Sequence, residues 1–105
     1  MRYLPLAFLA LAGCTMSASG LSKTEVEQTL TSTKSPQAFA TCAAETMIGN
    51  PQLRNEGDHY WILRMNGYGV PTARWDFTAT ETGSRAELRS SIPVNTGDER
   101  VKACA

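Results

Sequence analysis

The 105-residue chain balances ten basic against ten acidic side chains and carries a single histidine. That balance excludes the clustered Lys and Arg surplus with which general nucleic-acid binding displaces counterions from phosphates, so no nucleic-acid partner is expected. No stretch approaches the roughly twenty consecutive apolar residues of a transmembrane helix, and the length suffices for one small domain, a size at which covalent help is common.

Arg2 supplies a positive start, Leu4 to Leu11 an apolar middle and Ala12-Gly13 a small-residue site, the plan of a secretory signal peptide over residues 1–13. Behind it stands Cys14, and the run Leu11-Ala12-Gly13-Cys14 resembles the lipobox of bacterial lipoproteins. The resemblance covers residues 1–14. It implies a diacylglyceryl group on the Cys14 thiol, cleavage before that residue and acylation of the new amino terminus. Two or more acyl chains hold a protein stably at a bilayer. Thr15 follows where an aspartate would resemble an inner-membrane retention signal, so the resemblance implies the bacterial outer membrane, periplasmic side. Without residues 1–13 the mature chain carries a net charge of about minus one.

The lipid accounts for Cys14, one of three cysteines. In the oxidising compartment that the signal implies, a disulfide is the expected state of the other two, Cys42 and Cys104. Closing that loop would stabilise by about 4 kcal/mol in the chain-entropy model.

Residues 14–20 read as the lipidated cysteine and a flexible tether rich in Ser, Thr and Gly, and residues 21–105 as a single domain. Ser22 and Glu25 make a capping box, and Leu21 can staple onto Val26, which predicts a surface helix over about 23–32 with a thin apolar face of Val26 and Leu30. A second helix has Ser35 as N-cap, Pro36 at its first position, and Gly49 and Pro51 as terminators. Phe39, Cys42, Ala43, Thr46 and Met47 fall on one face of it.

Gln52 to Asn55 reads as a short strand that turns at Glu56-Gly57-Asp58 into a second, His59 to Met65. The clearest pattern is the hairpin that follows. Ala73, Trp75, Phe77 and Ala79 alternate with Arg74, Asp76, Thr78 and Thr80; after a turn around Thr82-Gly83, Ala86, Leu88, Ser90 and Ile92 alternate with Arg85, Glu87, Arg89 and Ser91. Pairing Glu81 with Ser84 sets Phe77 opposite Leu88, Trp75 opposite Ser90, and Asp76 opposite Arg89 on the other face. Pro93 ends the strand, and Asp98 to Ala103 reads as a short terminal helix or turn with Val101 and Cys104 inward. The order predicts an α+β fold, two N-terminal helices packed on a three- or four-stranded antiparallel sheet.

Candidate chemistry is sparse. His59 reads as an ordinary histidine at a strand start, because a general base needs an oriented partner and a nucleophile within reach. The thiols are committed to the disulfide, so no zinc site is expected, and no cofactor is implied. The carboxylates form no inferable glycosidase pair, no G-x-S-x-G elbow is present, and Gly67-Tyr68-Gly69 matches no phosphate-binding fingerprint. Trp61 and Trp75 read as core. Arg74, Arg85 and Arg89, joined by Arg64, share the outer hairpin face with Asp76 and Glu87. Mixed charges keep an exposed sheet face soluble, and they also offer a candidate docking surface for an anionic envelope component or an acidic protein. Tyr68 is the exposed aromatic candidate.

The expectation is a lipid-anchored, periplasm-facing envelope lipoprotein, a non-enzymatic accessory or interaction module for an envelope protein or glycan. The alternative is a small envelope hydrolase or an inhibitor of one, for which a protruding loop at Asn66 to Pro71 would speak.

Overall fold

A computed structural model of the chain describes residues 18–21, 23–47, 51–91 and 99–105. Residues 1–13, expected as a signal peptide, and Cys14, Ser22, Gly49, Ile92, Pro93 and Asp98 lie outside the described residues. The elements in chain order are α1 (Ala18–Leu21), β1 (Gln28–Ser32), α2 (Pro36–Thr46), β2 (Gln52–Glu56), β3 (His59–Met65), β4 (Pro71–Thr80), β5 (Gly83–Ser90) and α3 (Glu99–Cys104). The fold is α+β, with one five-stranded antiparallel sheet in the order β1-β5-β4-β3-β2. Four strands follow one another as a meander, and β1 closes the β5 edge.

The sheet thus has five strands rather than three or four, and the helix expected over 23–32 is not formed. Gln28–Ser32 pairs with β5 instead, Leu30 opposite Ala86 and Thr29 opposite Glu87. The strand buries alternate residues, with Thr29 and Thr31 exposed and Leu30 packed against the core. A helix there would bury two apolar side chains. As a strand the segment satisfies the backbone of β5, and its two β-branched threonines suit a pleated surface. Residues 18–20, expected in the flexible tether, belong to the helical turn of α1, which Thr24 closes by bonding the Leu21 carbonyl through both N–H and Oγ1.

α2 starts where its punctuation sets it and ends at Thr46. Ser35 accepts from Ala38 N–H through its side chain, Pro36 opens the helix, and Met47 N–H returns to the Ala43 carbonyl. The helix lays Phe39, Ala40 and Ala43, with Met47 behind them, onto Ile62, Trp75, Phe77, Ala86 and Leu88. Thr46, expected on that face, is exposed. Phe39 meets Phe77 edge-on, ring centres 5.0 Å apart. Burying side chains of this kind contributes about 1.5–3 kcal/mol each.

α3 packs on α2 through Val101 and through a disulfide between Cys42 and Cys104, which are 62 positions apart in sequence. Lys34 Nζ donates to the Cys104 carbonyl at 2.6 Å, a cation at the helix C-terminus where the backbone dipole favours it.

The β4–β5 hairpin keeps its faces and changes its register. Thr80 pairs with Gly83, so Phe77 stands opposite Ala86, Trp75 opposite Leu88 and Arg74 opposite Arg89, a shift of two from the expected pairing. An even shift leaves every side chain on its expected face. Gly83 cannot carry a side chain at this position. An added Cβ would overlap the Ser32 carbonyl and come within 2.6 Å of Thr33 Cα.

Candidate functional site

The side of the sheet facing away from α2 carries the polar chemistry. Register places Gln52, Arg54 and Glu56 of β2, His59, Trp61 and Leu63 of β3, Arg74, Asp76 and Thr78 of β4, and Arg85, Glu87 and Arg89 of β5 on this outer face. Arg64 is opposite Ala73 and shares the face of Ile62, so it stands on the α2 side and does not join the other arginines.

Much of this face is covered. Arg74 is 8% exposed and Asp76 5%. Leu21 is fully buried outside the cluster built on α2, and α1 packs against β4. Arg89 Nε, on the outer face, donates to the Thr24 carbonyl at 3.0 Å, which ties the residues after α1 to this side.

Asp76 is the hub. Arg74 donates to it from Nε at 2.9 and 3.0 Å and stands at 2.9 Å through Nη2. Arg89 Nη1 lies 3.5 Å away, and His59 Nε2 is 2.7 Å from Oδ1. An ionised carboxylate only accepts, and it has room for about four donors. The arrangement therefore fills Asp76 and places the His59 proton on Nε2. Burial makes such a cluster expensive to break and weak as a net source of stability compared with a well-packed apolar one.

Trp61 adds a layer. The Arg74 guanidinium sits 4.9 Å from its ring, and the His59 ring is 5.3 Å from it at a tilt of 50°. Trp61 is half-buried on the outer face rather than in the core on α2, whereas Trp75 is fully buried in that core.

Of the three arginines expected to form a docking surface, Arg74 and Arg89 turn inward to Asp76, and Arg85 is exposed. Tyr68 is 93% exposed at the tip of the β3–β4 loop. The pairing of His59 with Asp76 escapes sequence reading because 17 positions separate them. Only the β3–β4 register brings them together, and the β3 facing is ambiguous in the sequence.

Chemically, Asp76 orients His59 and leaves Nδ1 as its other ring nitrogen. Among the described residues no serine, threonine or cysteine side chain bonds His59, and no group of three or more His, Cys, Asp or Glu is placed to hold a metal ion. The arrangement orients a half-exposed imidazole and an indole; a nucleophile is not part of it. Comparisons with family models, curated proteins and solved structures return no match for this chain.

Proposed function

We propose that this protein is a bacterial lipoprotein held at the periplasmic side of the outer membrane by acyl chains on Cys14, acting without catalysis as an accessory or interaction module for an envelope protein or glycan. The observation that carries the reading is the run Leu11-Ala12-Gly13-Cys14 behind a charged and apolar start. Two features support it. The Cys42–Cys104 bond accounts for two of the three cysteines and leaves Cys14 outside it, and Arg74, Arg89 and His59 of the outer face are spent on Asp76.

The test is chemical. Growth with an alkyne fatty acid should label the wild-type chain and leave Cys14→Ser unlabelled, and the mature N-terminal peptide should begin at Cys14 with acyl mass. An unmodified thiol in that peptide overturns the reading.

A hydrolase reading rests on one observation, the Asp76-oriented His59. Turnover of an envelope glycan or peptide by the wild type, lost in His59→Ala with the fold intact, would favour it.

A further inference from the structure

The large apolar side chains left exposed among the described residues are Val26, Leu53, Tyr68 and Val70. Tyr68, Val70 and Val26 lie at one end of the sheet, and Leu53 stands on its middle rung. The β3–β4 loop carries Tyr68 and Val70; Val26 precedes β1 by two residues; Leu53 stands on the rung Leu53, Ile62, Trp75, Leu88 and Gln28, near the start of β2. The opposite end holds the β2–β3 turn with Glu56 and Asp58, the β4–β5 turn with Glu81, and Lys34 between β1 and α2. The first end presents Tyr68 and Val70 on an uncharged loop, with Val26 set between the exposed Glu25 and Glu27; the other carries Glu56, Asp58, Glu81 and Lys34.

The loop is built rather than loose. Asn66 Oδ1 accepts from both Tyr68 N–H at 2.8 Å and Val70 N–H at 3.0 Å. Asn66 N–H donates to the Val70 carbonyl and Gly69 N–H to the Asn66 carbonyl. Gly69 takes a φ of +77°, open to glycine and strained for most other residues. Four hydrogen bonds hold an uncharged loop whose tip presents a phenol to solvent. A loop backbone held in this way has little conformational entropy left to lose on docking.

The occupant follows from where the chain enters. Glu27 N–H bonds the Leu88 carbonyl, Arg89 holds the Thr24 carbonyl, and Glu27 meets Ser90 side chain to side chain, all near the β5 terminus at this same end. Cys14 precedes α1 by four positions, a reach of at most about 14 Å at roughly 3.5 Å per extended residue. An anchor so close keeps the domain against its bilayer. Tyr68 suits such a contact, since tyrosine favours the membrane–water boundary, where its ring is apolar and its hydroxyl wet.

We infer that this end of the sheet rests on the bilayer that holds Cys14, with Tyr68 and Val70 seated at the headgroup boundary as a second, non-covalent membrane contact. The inference rests on the lipoprotein reading for the bilayer's position, and its test separates the two.

Full-length protein carrying Tyr68→Trp, matured in cells and purified, is placed in phosphatidylglycerol and phosphatidylcholine vesicles with or without brominated acyl chains. The parent chain supplies the background of Trp61 and Trp75, and Thr82→Trp supplies a control at the polar end. The emission added at position 68 should shift to the blue on vesicles and lose most of its intensity on brominated lipid, while that added at position 82 should do neither. Equal quenching at both positions, or none at 68, overturns the inference. So does a blue shift at 68 that grows with protein concentration in a lipid-free Cys14→Ser background, which would assign the loop to a second copy. The N-terminal peptide mass of the same sample reads the anchor independently. Acylated Cys14 with unquenched emission at 68 refutes the loop contact alone, and quenched emission with an unmodified thiol refutes the anchor alone.

Discussion

The two faces of β4 are buried together and held by opposite chemistry. Toward α2 stand Trp75 and Phe77, fully buried among apolar side chains; away from it stand Arg74 and Asp76, nearly as buried, in a cluster of ionic hydrogen bonds. The first surface rests on non-directional burial, which tolerates any apolar shape of about the right volume. The second rests on donors converging on one carboxylate, and it fails as a unit. The contrast shows that alternation in a sequence tells which face a side chain takes and leaves its depth open. A polar stripe reads as solvated until something roofs it, and here α1 packs against β4 with Leu21 fully buried.

The sharpest test uses adjacent residues on opposite faces. Phe77→Ala should cost about 3–5 kcal/mol through transfer and cavity terms, and Asp76→Ala a similar amount, about 3–5 kcal/mol, because buried cations are left without their carboxylate. The two faces part company on rescue. Adding Arg74→Met to Asp76→Leu should recover much of the outer-face loss, since an apolar replacement of a buried ion pair is often neutral; no polar substitution rescues Phe77→Ala. Urea unfolding midpoints measure both. A double variant no more stable than Asp76→Ala would mean that the ionic cluster holds the face in a way apolar packing cannot replace.

Reduction acts on the α2 side alone. Breaking the bond between Cys42 and Cys104 should lower stability by up to about 4 kcal/mol, the chain-entropy figure for a loop of this length. Thermal unfolding with and without reductant measures it, and Cys42→Ser with Cys104→Ser should match the reduced protein. The contact of Lys34 with the Cys104 carbonyl and the burial of Val101 remain to hold α3, so its amides should exchange faster before the sheet's do. Exchange rising equally in β4 would show that the staple supports the sheet as well.

Gly83→Ala tests the edge that sequence reading missed, and should cost about 2 kcal/mol or more as an overpacked site where backbone rather than side chain is in the way. Unfolding midpoints of the variant check it, and a loss below that of an exposed control would place β1 farther from β5 than described. This position also explains what was legible in the sequence. The faces of the hairpin, the start of α2, the terminal helix and the cysteine pair are legible in the sequence, from alternation, a Ser-Pro start, and two cysteines left over in an oxidising compartment. The register and β1 are not. Gly83 reads as a turn residue, yet it is the first residue of β5, and it must be glycine because the chain at Ser32 and Thr33 passes too close for a Cβ. Ser22 and Glu25 read as a helix start, yet Thr24 closes the turn after α1 and Glu25 stands outside any helix, and Leu30 finds its place only once β5 exists to pair with it. In both cases a long-range contact decides what a local motif means.

The smallest expected effect separates two arginines that sequence pattern treats as one surface. Arg89 is mostly buried, bonds the Thr24 carbonyl and reaches Asp76; Arg89→Ala should cost about 1.5 kcal/mol, the scale of a hydrogen bond to a charged group. Arg85 lies opposite Thr78 on β4 and Thr31 on β1 and is exposed, so Arg85→Ala should stay within about 0.5 kcal/mol of the parent. Chemical denaturation resolves the difference. Loss of an anionic envelope partner in Arg85→Glu, with unfolding unchanged, would then report binding at the outer face free of any structural effect. The same loss in Arg89→Glu would carry no such meaning, because that substitution loosens the residues after α1 from the sheet and sets a second carboxylate beside Asp76.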